Sequence, residues 1–184
     1  MNASTLRLVP PGPDLLAEYE AALVAGWSAD TTRDISAIQL ADLRADRDAF
    51  LRELVRQDGT ITRADGQVVP RLPNRLLWLS DGEFCGRIGL RFLPGTEALP
   101  PYTHGHVGYA VVPWKRRRGY ATRALALLLP VARAVGLARV MVTCDPQNVP
   151  SRRVILANGG VPAEDGPYAY GPGDVQLRFW VPTG

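Results

Sequence analysis

Residues 111–122 read Val111-Val112-Pro113-Trp114-Lys115-Arg116-Arg117-Arg118-Gly119-Tyr120-Ala121-Thr122. An apolar strand leads here into a short basic loop, and small residues open a helix with an amphipathic pattern that runs to Val135. The first N–H groups of a helix lack intrahelical acceptors and lie at the positive end of the helix dipole, so they attract anions. Arginine adds donors that suit phosphate oxygens. The stretch therefore predicts a site for a diphosphate-bearing cofactor.

Two other interpretations of the basic run are a solvated loop and a nucleic-acid patch. The strand, the glycine and the helix that surround the run favour the phosphate site over both. The spacing matches neither GxxxxGK[ST] nor GxGxxG, which excludes the two best-known phosphate loops. A net charge of +3 is small for a chain of 184 residues that binds nucleic acid with its whole surface. We therefore expect no nucleic-acid partner.

Outside this stretch, hydrophobic periodicity predicts alternating helices and strands. The predicted strands are 6–9, 75–79, 84–92, 106–112, 139–143 and 175–181. The predicted helices are 15–25, 36–57, 119–135 and 151–158. The Asp81-Gly82 pair predicts a two-residue hairpin turn, and residues 58–75 are predicted to form a loop. This order indicates an α/β fold with a mixed central sheet flanked by helices.

Length and composition indicate one globular domain over residues 1–184. The apolar fraction of 46% permits a buried core, but no run approaches the roughly 18 apolar residues that a membrane span needs. The first residues lack the apolar core of a signal peptide, so a cytoplasmic location is expected. Cys85 and Cys144 lie in no ligand-like cluster, which favours buried free thiols over a disulfide or a metal site.

The run from Arg116 to Ala121 resembles the [Q/R]xxGx[G/A] pyrophosphate motif of the GNAT superfamily of acyl-CoA-dependent N-acyltransferases. Downstream, residues 139–144 are similar to the next strand of that family, and Asn148-Val149-Pro150-Ser151 resembles the Asn-x-x-[Ser/Ala] that opens the following helix. The segments His106-Val107-Gly108-Tyr109 and Thr143-Cys144-Asp145 resemble a bacterial branch of the superfamily. The resemblance implies a GNAT-like fold and acetyl-CoA as co-substrate, without a metal.

The same resemblance implies roles for particular residues. The strand that ends at Val111-Val112 should splay from its neighbour and offer backbone groups to the pantetheine arm and the thioester. The amides of residues 117–122 should hold the pyrophosphate. Asn148 and Ser151 should contact the pantetheine or adenosine side, although an Asn-x-x-Ser that merely caps a helix is the alternative. The expected cofactor-binding residues are Val111, Val112, Arg116, Arg117, Arg118, Gly119, Tyr120, Ala121, Thr122, Asn148 and Ser151.

The sequence departs from the family pattern at two positions. Many members carry a tyrosine seven residues after the asparagine, where it protonates the departing thiolate, but that position is Ile155 here. Tyr168 and Tyr170 are the candidates to replace it. Gly160 stands where an aromatic residue is common.

The general base is expected to be His106, which opens the strand that leads to the acyl site. Its ordinary pKa of about 6.5 suits proton abstraction near neutrality. A histidine that only satisfies a backbone group is the competing interpretation, and Glu83, Asp145 or an ordered water are alternative bases. His104 forms a His-x-His pair with His106, but the pattern lacks a third metal ligand.

Two classes of function remain open at this point. One is an N-acetyltransferase in which an amine attacks acetyl-CoA directly, with no acyl-enzyme. The other is a non-enzymatic module that senses coenzyme A or, as a further alternative, binds nucleic acid through its basic loop. The expected partner is a small-molecule or peptide amine of unspecified identity, with no membrane partner. GNAT domains often pair, so a homodimer is also considered.

Overall fold

The computed structural model describes residues 5–62, 66–169 and 173–184. Its helices are α1 Leu16–Val24, α2 Ser36–Ala45, α3 Arg47–Leu54, α4 Tyr120–Ala134 and α5 Val149–Ala157. Its strands are β1 Arg7–Val9, β2 Thr60–Thr62, β3 Val68–Pro70, β4 Asn74–Ser80, β5 Phe84–Arg91, β6 Val107–Val111, β7 Arg139–Cys144, β8 Val161–Pro162, β9 Tyr168–Ala169 and β10 Val175–Pro182.

An eight-stranded sheet forms the centre of the molecule. Its strand order is β1-β4-β5-β6-β7-β10-β8, and β9 pairs with β10. The β6–β7 pair is parallel, and the other described pairs in the sheet are antiparallel. The sheet is mixed and flanked by helices, as the sequence predicts.

Helices cover both faces of the sheet. Because strand side chains alternate between faces, Ile88 and Leu90 of β5 pack with Leu125 and Leu128 of α4 on one face. The opposite face carries α1–α3, and Tyr19 of α1 packs there within a cluster of aromatic rings. The stacked rings of Tyr19 and Trp78 have centroids 5.0 Å apart. We call the α4–α5 side the cofactor face and the α1–α3 side the acceptor face, after the roles that the family resemblance implies for these elements.

The predicted helix over 36–57 is two helices in the structure. The chain bends at Asp46, whose backbone is extended (φ −156°, ψ 104°). Its Oδ1 accepts a hydrogen bond of 2.8 Å from Ala49 N, so Asp46 caps the start of α3. The continuous apolar spacing concealed this boundary.

Two connections also differ from prediction. Residues 58–75 contain the β2–β3 hairpin, in which Ile61 pairs with Val69. The β4–β5 connection has three residues rather than two, because the register shifts after Leu79 and Ser80 pairs with Phe84. Positive φ is found at Gly82 (111°) but not at Asp81, so a two-residue turn with both central residues at positive φ does not form.

Gly86 allows β5 and β6 to approach closely near the end of β6. Its φ is +139°, and a Cβ there would lie 2.2 Å from the carbonyl oxygen of Ala110. No side chain fits without displacing β6. None of the described helices combines the length and apolar character needed to cross a bilayer.

Candidate active site

The parallel strands β6 and β7 separate soon after they meet. They are in register at Val107 and Val142, and His106 N donates to Met141 O at 2.8 Å. Beyond this point β6 continues along β5 as far as Val111, without a described backbone pairing to β7. The carbonyl oxygen of Val111 instead accepts a hydrogen bond of 3.1 Å from Arg116 Nε. A wedge therefore opens between the two strands on the route to the basic loop.

Val111 and Val112 differ in the direction of their backbone N–H and C=O groups relative to this wedge. The amide of Val112 donates to Cys85 O at 3.1 Å, and its carbonyl accepts from Lys115 N at 3.0 Å. Both backbone groups of Val112 are thus engaged within the protein, although its carbonyl oxygen can accept a second hydrogen bond. Backbone groups alternate in direction along a strand, so those of Tyr109 and Val111 point away from β5 into the wedge. Tyr109 is therefore a candidate for backbone contact with pantetheine that was not predicted from the sequence.

The basic loop has an unusual backbone conformation. Arg117 has φ +59°, the one positive φ found at a described residue other than glycine, and Gly119 has φ +77°. A left-handed conformation is unfavourable by about 1–2 kcal/mol for a residue with a Cβ, and such strain concentrates at ligand-binding segments. Left-handed residues in a turn direct neighbouring N–H groups toward a common centre, which favours an anion.

The start of α4 supplies the donors predicted from the sequence. Gly119 is the N-cap and contributes no side-chain cap, and the first intrahelical bond is donated by Arg123 N to Gly119 O at 3.0 Å. The N–H groups of Tyr120, Ala121 and Thr122 consequently have no intrahelical acceptor. These groups fit a pyrophosphate.

The four basic residues of the loop do not act alike. Arg116, Arg117 and Arg118 are exposed, whereas Lys115 is only 4% exposed. Lys115 Nζ donates to Asp81 Oδ2 at 3.0 Å and to Glu83 Oε2 at 2.7 Å. Lys115 is therefore a structural residue, and the three exposed arginines are the candidates for contact with phosphate.

Asp81 connects both ends of the basic loop to the β4–β5 turn. Its carboxylate accepts from Lys115 before the loop and from the Tyr120 hydroxyl after it. The Asp81 side chain is fully shielded from solvent. Burial opposes ionisation, but the hydrogen bonds from Tyr120 and Lys115 hold the pKa of Asp81 below its ordinary value. The turn signal at 81–82 was visible in the sequence, but this role was not.

The start of α5 lies across the wedge from β6. Asn148 Oδ1 accepts from Ser151 N at 3.0 Å, so Asn148 caps the helix. The Ser151 hydroxyl shares a hydrogen bond of 2.7 Å with the Tyr109 hydroxyl. Burial raises the pKa of Tyr109 to about 12, although the bond to Ser151 opposes this shift. Two hydroxyl groups thus stand together beside the wedge.

The two departures from the family pattern, Ile155 and Gly160, are packed against each other. Ile155 is fully buried, and a Cβ on Gly160 would lie 2.4 Å from its Cγ2 atom. The amide of Gly160 also donates to Ile155 O at 3.0 Å. An aromatic residue at 160 would need the space that Ile155 fills.

His106 is buried at the junction of β6 and β7. Its Nδ1 accepts a hydrogen bond of 2.9 Å from Met141 N, and no described group bonds to Nε2. The proton of the neutral ring therefore resides on Nε2. Burial lowers the pKa of His106 to about 4; Glu97 opposes this shift and Arg91 adds to it. In this arrangement His106 is a hydrogen-bond donor, because its one lone pair is engaged by the backbone.

A cavity of about 360 Å³ lies on the acceptor face next to His106. Trp180 and Arg178 of β10 line it together with Tyr168 and the loop from Glu97 to Gly105. Its charges are largely paired: Arg139 with Glu97 at 2.8 Å and Arg178 with Asp165. The cavity is suitably placed to receive part of an acceptor.

The remaining catalytic candidates are dispersed. Tyr168 lies under Arg178, whose guanidinium carbon is 5.4 Å from the ring centre, and Tyr170 lies outside the described residues. Glu83 is paired with Lys115. Asp145 Oδ1 accepts from Gln147 N in the turn before α5. Within the described ranges, no cluster of three or more His, Cys, Asp or Glu side chains could hold a metal.

The sequence of the chain matches a known protein family. The model described as the acetyltransferase (GNAT) family matches residues 39–159, about two thirds of the chain. The chain belongs to the GNAT acetyltransferase family. The protein is accordingly an acetyl-CoA-dependent N-acetyltransferase, and of the two classes left open by the sequence the enzyme is the right one.

Solved structures share the fold at low sequence identity. RimJ of Mycobacterium smegmatis, in complex with CoA-disulfide, is 22% identical, with 96% of this chain and 81% of that chain covered and a TM-score of 0.65. RimL, a ribosomal L7/L12 alpha-N-protein acetyltransferase in complex with coenzyme A, is 13% identical (97% and 94% covered, TM-score 0.59). The putative acetyltransferase yncA of Salmonella typhimurium, with acetyl-CoA, is 17% identical (98% and 95% covered, TM-score 0.52). No curated protein matches the sequence.

Proposed function

We propose that the protein transfers the acetyl group of acetyl-CoA directly to an amine held on the acceptor face. The amine nitrogen bonds to the acetyl carbon, the carbon–sulfur bond breaks, and one proton leaves the nitrogen while the thiolate gains one. The wedge between β6 and β7, with the open N–H groups of α4 at its end, carries this proposal. It leaves the thioester accessible from the acceptor face while the pyrophosphate is held on the loop.

The two cysteines support transfer without an acyl-enzyme. Both are free and buried, as the sequence predicts. Burial, and then Asp81, raise the pKa of the Cys85 thiol to about 12, and burial also raises the pKa of Cys144. A thiol must ionise to act as a nucleophile, and neither environment promotes ionisation.

Backbone and hydroxyl groups at the wedge account for the remaining steps. The free amides of Tyr109 and Val111 polarise the thioester carbonyl and bind pantetheine. The hydroxyl pair of Ser151 and Tyr109 donates a hydrogen bond to the departing thiolate, in place of the tyrosine that is absent at Ile155. With a pKa near 12, Tyr109 keeps its own proton and acts as a donor.

The proton of the amine passes to water in this proposal. His106 has no available lone pair while Met141 N occupies Nδ1, and the carboxylates of Glu83 and Asp145 are engaged elsewhere. A water molecule in the cavity that His106 lines would meet the requirement for a weak base in contact with solvent.

Acetyl-CoA binding and coenzyme A release test this function together. A ligand that binds only the native state adds about 2.7 kcal/mol of stability at a hundredfold excess over Kd, so the melting temperature should rise by several degrees. Coenzyme A release across polyamines, amino acids, aminoglycosides and peptide N-termini should then identify an acceptor. An unchanged melting curve at millimolar acetyl-CoA, together with no heat in calorimetry, would contradict the proposal. A homodimer and a cytoplasmic location stay predictions.

A further inference from the structure

Two arginines of β5 point toward the acceptor face. Arg87, Gly89 and Arg91 alternate with Ile88 and Leu90, whose side chains are buried against the cofactor-face helices. The three residues therefore share the acceptor face. They pair with β6, the strand that borders the wedge.

Between the two arginines the sheet surface carries no side chains, because a glycine pair forms it; we call this surface the Gly89–Gly108 floor. Gly89 is directly opposite Gly108 in the antiparallel β5–β6 pair. Neither glycine has a positive φ, so the backbone conformation does not require glycine at either position. A Cβ on Gly89 would have only ordinary contacts, with Leu76 Cδ1 at 3.7 Å and Arg75 O at 4.0 Å, whereas a Cβ on Gly108 would lie 3.3 Å from Arg91 Nη2. The pair leaves space beside the wedge, and the Arg91 guanidinium lies over Gly108.

Of the two arginines, Arg91 is the one whose guanidinium has no hydrogen-bond or ion-pair partner among the described residues. Arg87 Nε donates to the carbonyl of Ala29, which fixes its side chain. Among the residues that the structure describes, no carboxylate lies within 4 Å of Arg91 and no hydrogen-bond acceptor holds its guanidinium. By contrast, His104 is paired with Asp174, at 3.2 Å.

Arg91 is exposed to solvent and lies near a second positive charge, that of Arg87. The side chain is reached by solvent, yet the protein around it, and then the charge of Arg87, lower the pKa of its guanidinium. The Asp30 carboxylate opposes this lowering but is the smallest of the three effects. An anion bound by Arg91 would relieve the repulsion between the two arginines.

Arg91 is too far from the proposed phosphate site to bind the phosphates of coenzyme A. Arg91 lies on the face opposite α4, and Gly108 is about 13 Å along β6 from Val112 at a strand rise of about 3.3 Å per residue. Gly108 is, however, adjacent to Tyr109, whose amide faces the thioester site. The anion that Arg91 binds should therefore belong to the acceptor.

We propose that the acceptor, within the function proposed above, carries a carboxylate a few bonds from its reactive amine, and that Arg91 binds this carboxylate. The forked N–H donors and fixed positive charge of a guanidinium match a carboxylate and repel an ammonium group. The surface at Gly89, the part of the Gly89–Gly108 floor that the Arg91 guanidinium leaves open, receives the chain between the carboxylate and the amine.

Matched acceptors test the proposal in two arms. One arm compares free aspartate, glutamate and β-alanine with their carboxamides, and the other compares capped-C-terminus peptides that carry Asp or Asn at the second position. Coenzyme A release gives kcat/KM, and calorimetry with the CoA-loaded protein gives Kd for each compound. The wild-type protein should prefer the carboxylate at least about tenfold in one arm, as expected for a charge-assisted bond. The favoured arm identifies a free amino acid or an acidic peptide as the source.

Arg91→Gln should reduce this preference to about one, mainly through KM, and Arg91→Lys should restore part of it. Arg75→Gln is the matched control, since Arg75 is an exposed arginine of the adjacent strand that donates to Asn74 O. An unchanged preference in Arg91→Gln, or no carboxylate preference in wild-type turnover or binding, would overturn the proposal. The acetyl-CoA-induced rise in melting temperature is independent of Arg91, so it separates this failure from failure of the proposed function.

Discussion

The basic loop and the acceptor face are built in different ways. The loop is one continuous stretch whose ends are both bound to Asp81, so its shape is preset before the cofactor arrives. The acceptor face combines β5, the start of β6, the loop before it and β10, which are far apart in sequence. The cofactor side is therefore specified locally, and the acceptor side depends on the whole sheet.

The largest effect is expected at the N-cap of α4. Gly119→Asp should weaken coenzyme A binding by about 100-fold or more, because a carboxylate would occupy the phosphate position with the wrong charge. Gly119→Asn is the matched control, since it has nearly the same shape, no charge, and tolerates the left-handed conformation. Calorimetry should show only a moderate loss for Asn. Equal losses in the two variants would mean that shape, not charge, governs the site.

Asp81→Asn should have the next largest effect. Removing one partner leaves the Lys115 ammonium buried without full compensation, so unfolding should become easier by about 3–5 kcal/mol. Coenzyme A affinity should fall about tenfold as the loop loses its anchor. Glu83→Gln is the control, because Glu83 is half exposed and its pair with Lys115 should contribute within about 1 kcal/mol.

Denaturant titration and calorimetry on the Asp81→Asn and Glu83→Gln pair measure both quantities. The pKa of Asp81 is held below its ordinary value, so its stabilisation is present above that ordinary value and is lost as the pH falls toward the folded pKa. Asp81→Asn should consequently flatten the acid limb of the stability profile. An Asp81→Asn variant with normal stability and normal affinity would show that the loop holds its shape unaided.

His106 should affect stability more than turnover. Its pKa is about 4 when folded and about 6.5 when unfolded, so the unfolded chain binds more protons between these values. Stability should fall by about 3 kcal/mol as the pH is lowered from 6.5 to 4, and His106→Gln should remove this dependence. Turnover of His106→Gln should drop less than tenfold. A loss of about 100-fold at unchanged coenzyme A affinity would instead assign the general base to His106.

The cofactor site was more predictable from the sequence than the acceptor site, for a physical reason. A strand, a glycine and an amphipathic helix in sequence are enough to predict the open N–H groups at residues 120–122. The commitment of Lys115 to Asp81 was not predictable, because the contact joins residues 34 positions apart. Arg91 carries no local signal either, since only the β5–β6 register places it over Gly108.

The smallest effect is expected for a side chain of the loop. Arg117→Ala should weaken coenzyme A binding by about 1 kcal/mol, roughly fivefold, since the side chain is exposed and the backbone donors remain. A nucleic-acid patch would show the opposite order, with a larger loss from the arginine than from the glycine and a steep dependence on salt. Filter binding of DNA and RNA beside coenzyme A titrations distinguishes the two orders.

Amide hydrogen exchange with and without coenzyme A tests the central claim most directly. The amides of residues 120–122 have no intrahelical acceptor and should exchange quickly in the free protein. If they hold the pyrophosphate, saturating coenzyme A should slow exchange across residues 117–122 at least tenfold, while the β2–β3 hairpin stays unchanged. Undiminished exchange at residues 117–122 in the saturated protein would contradict the assignment of the phosphate site to the start of α4.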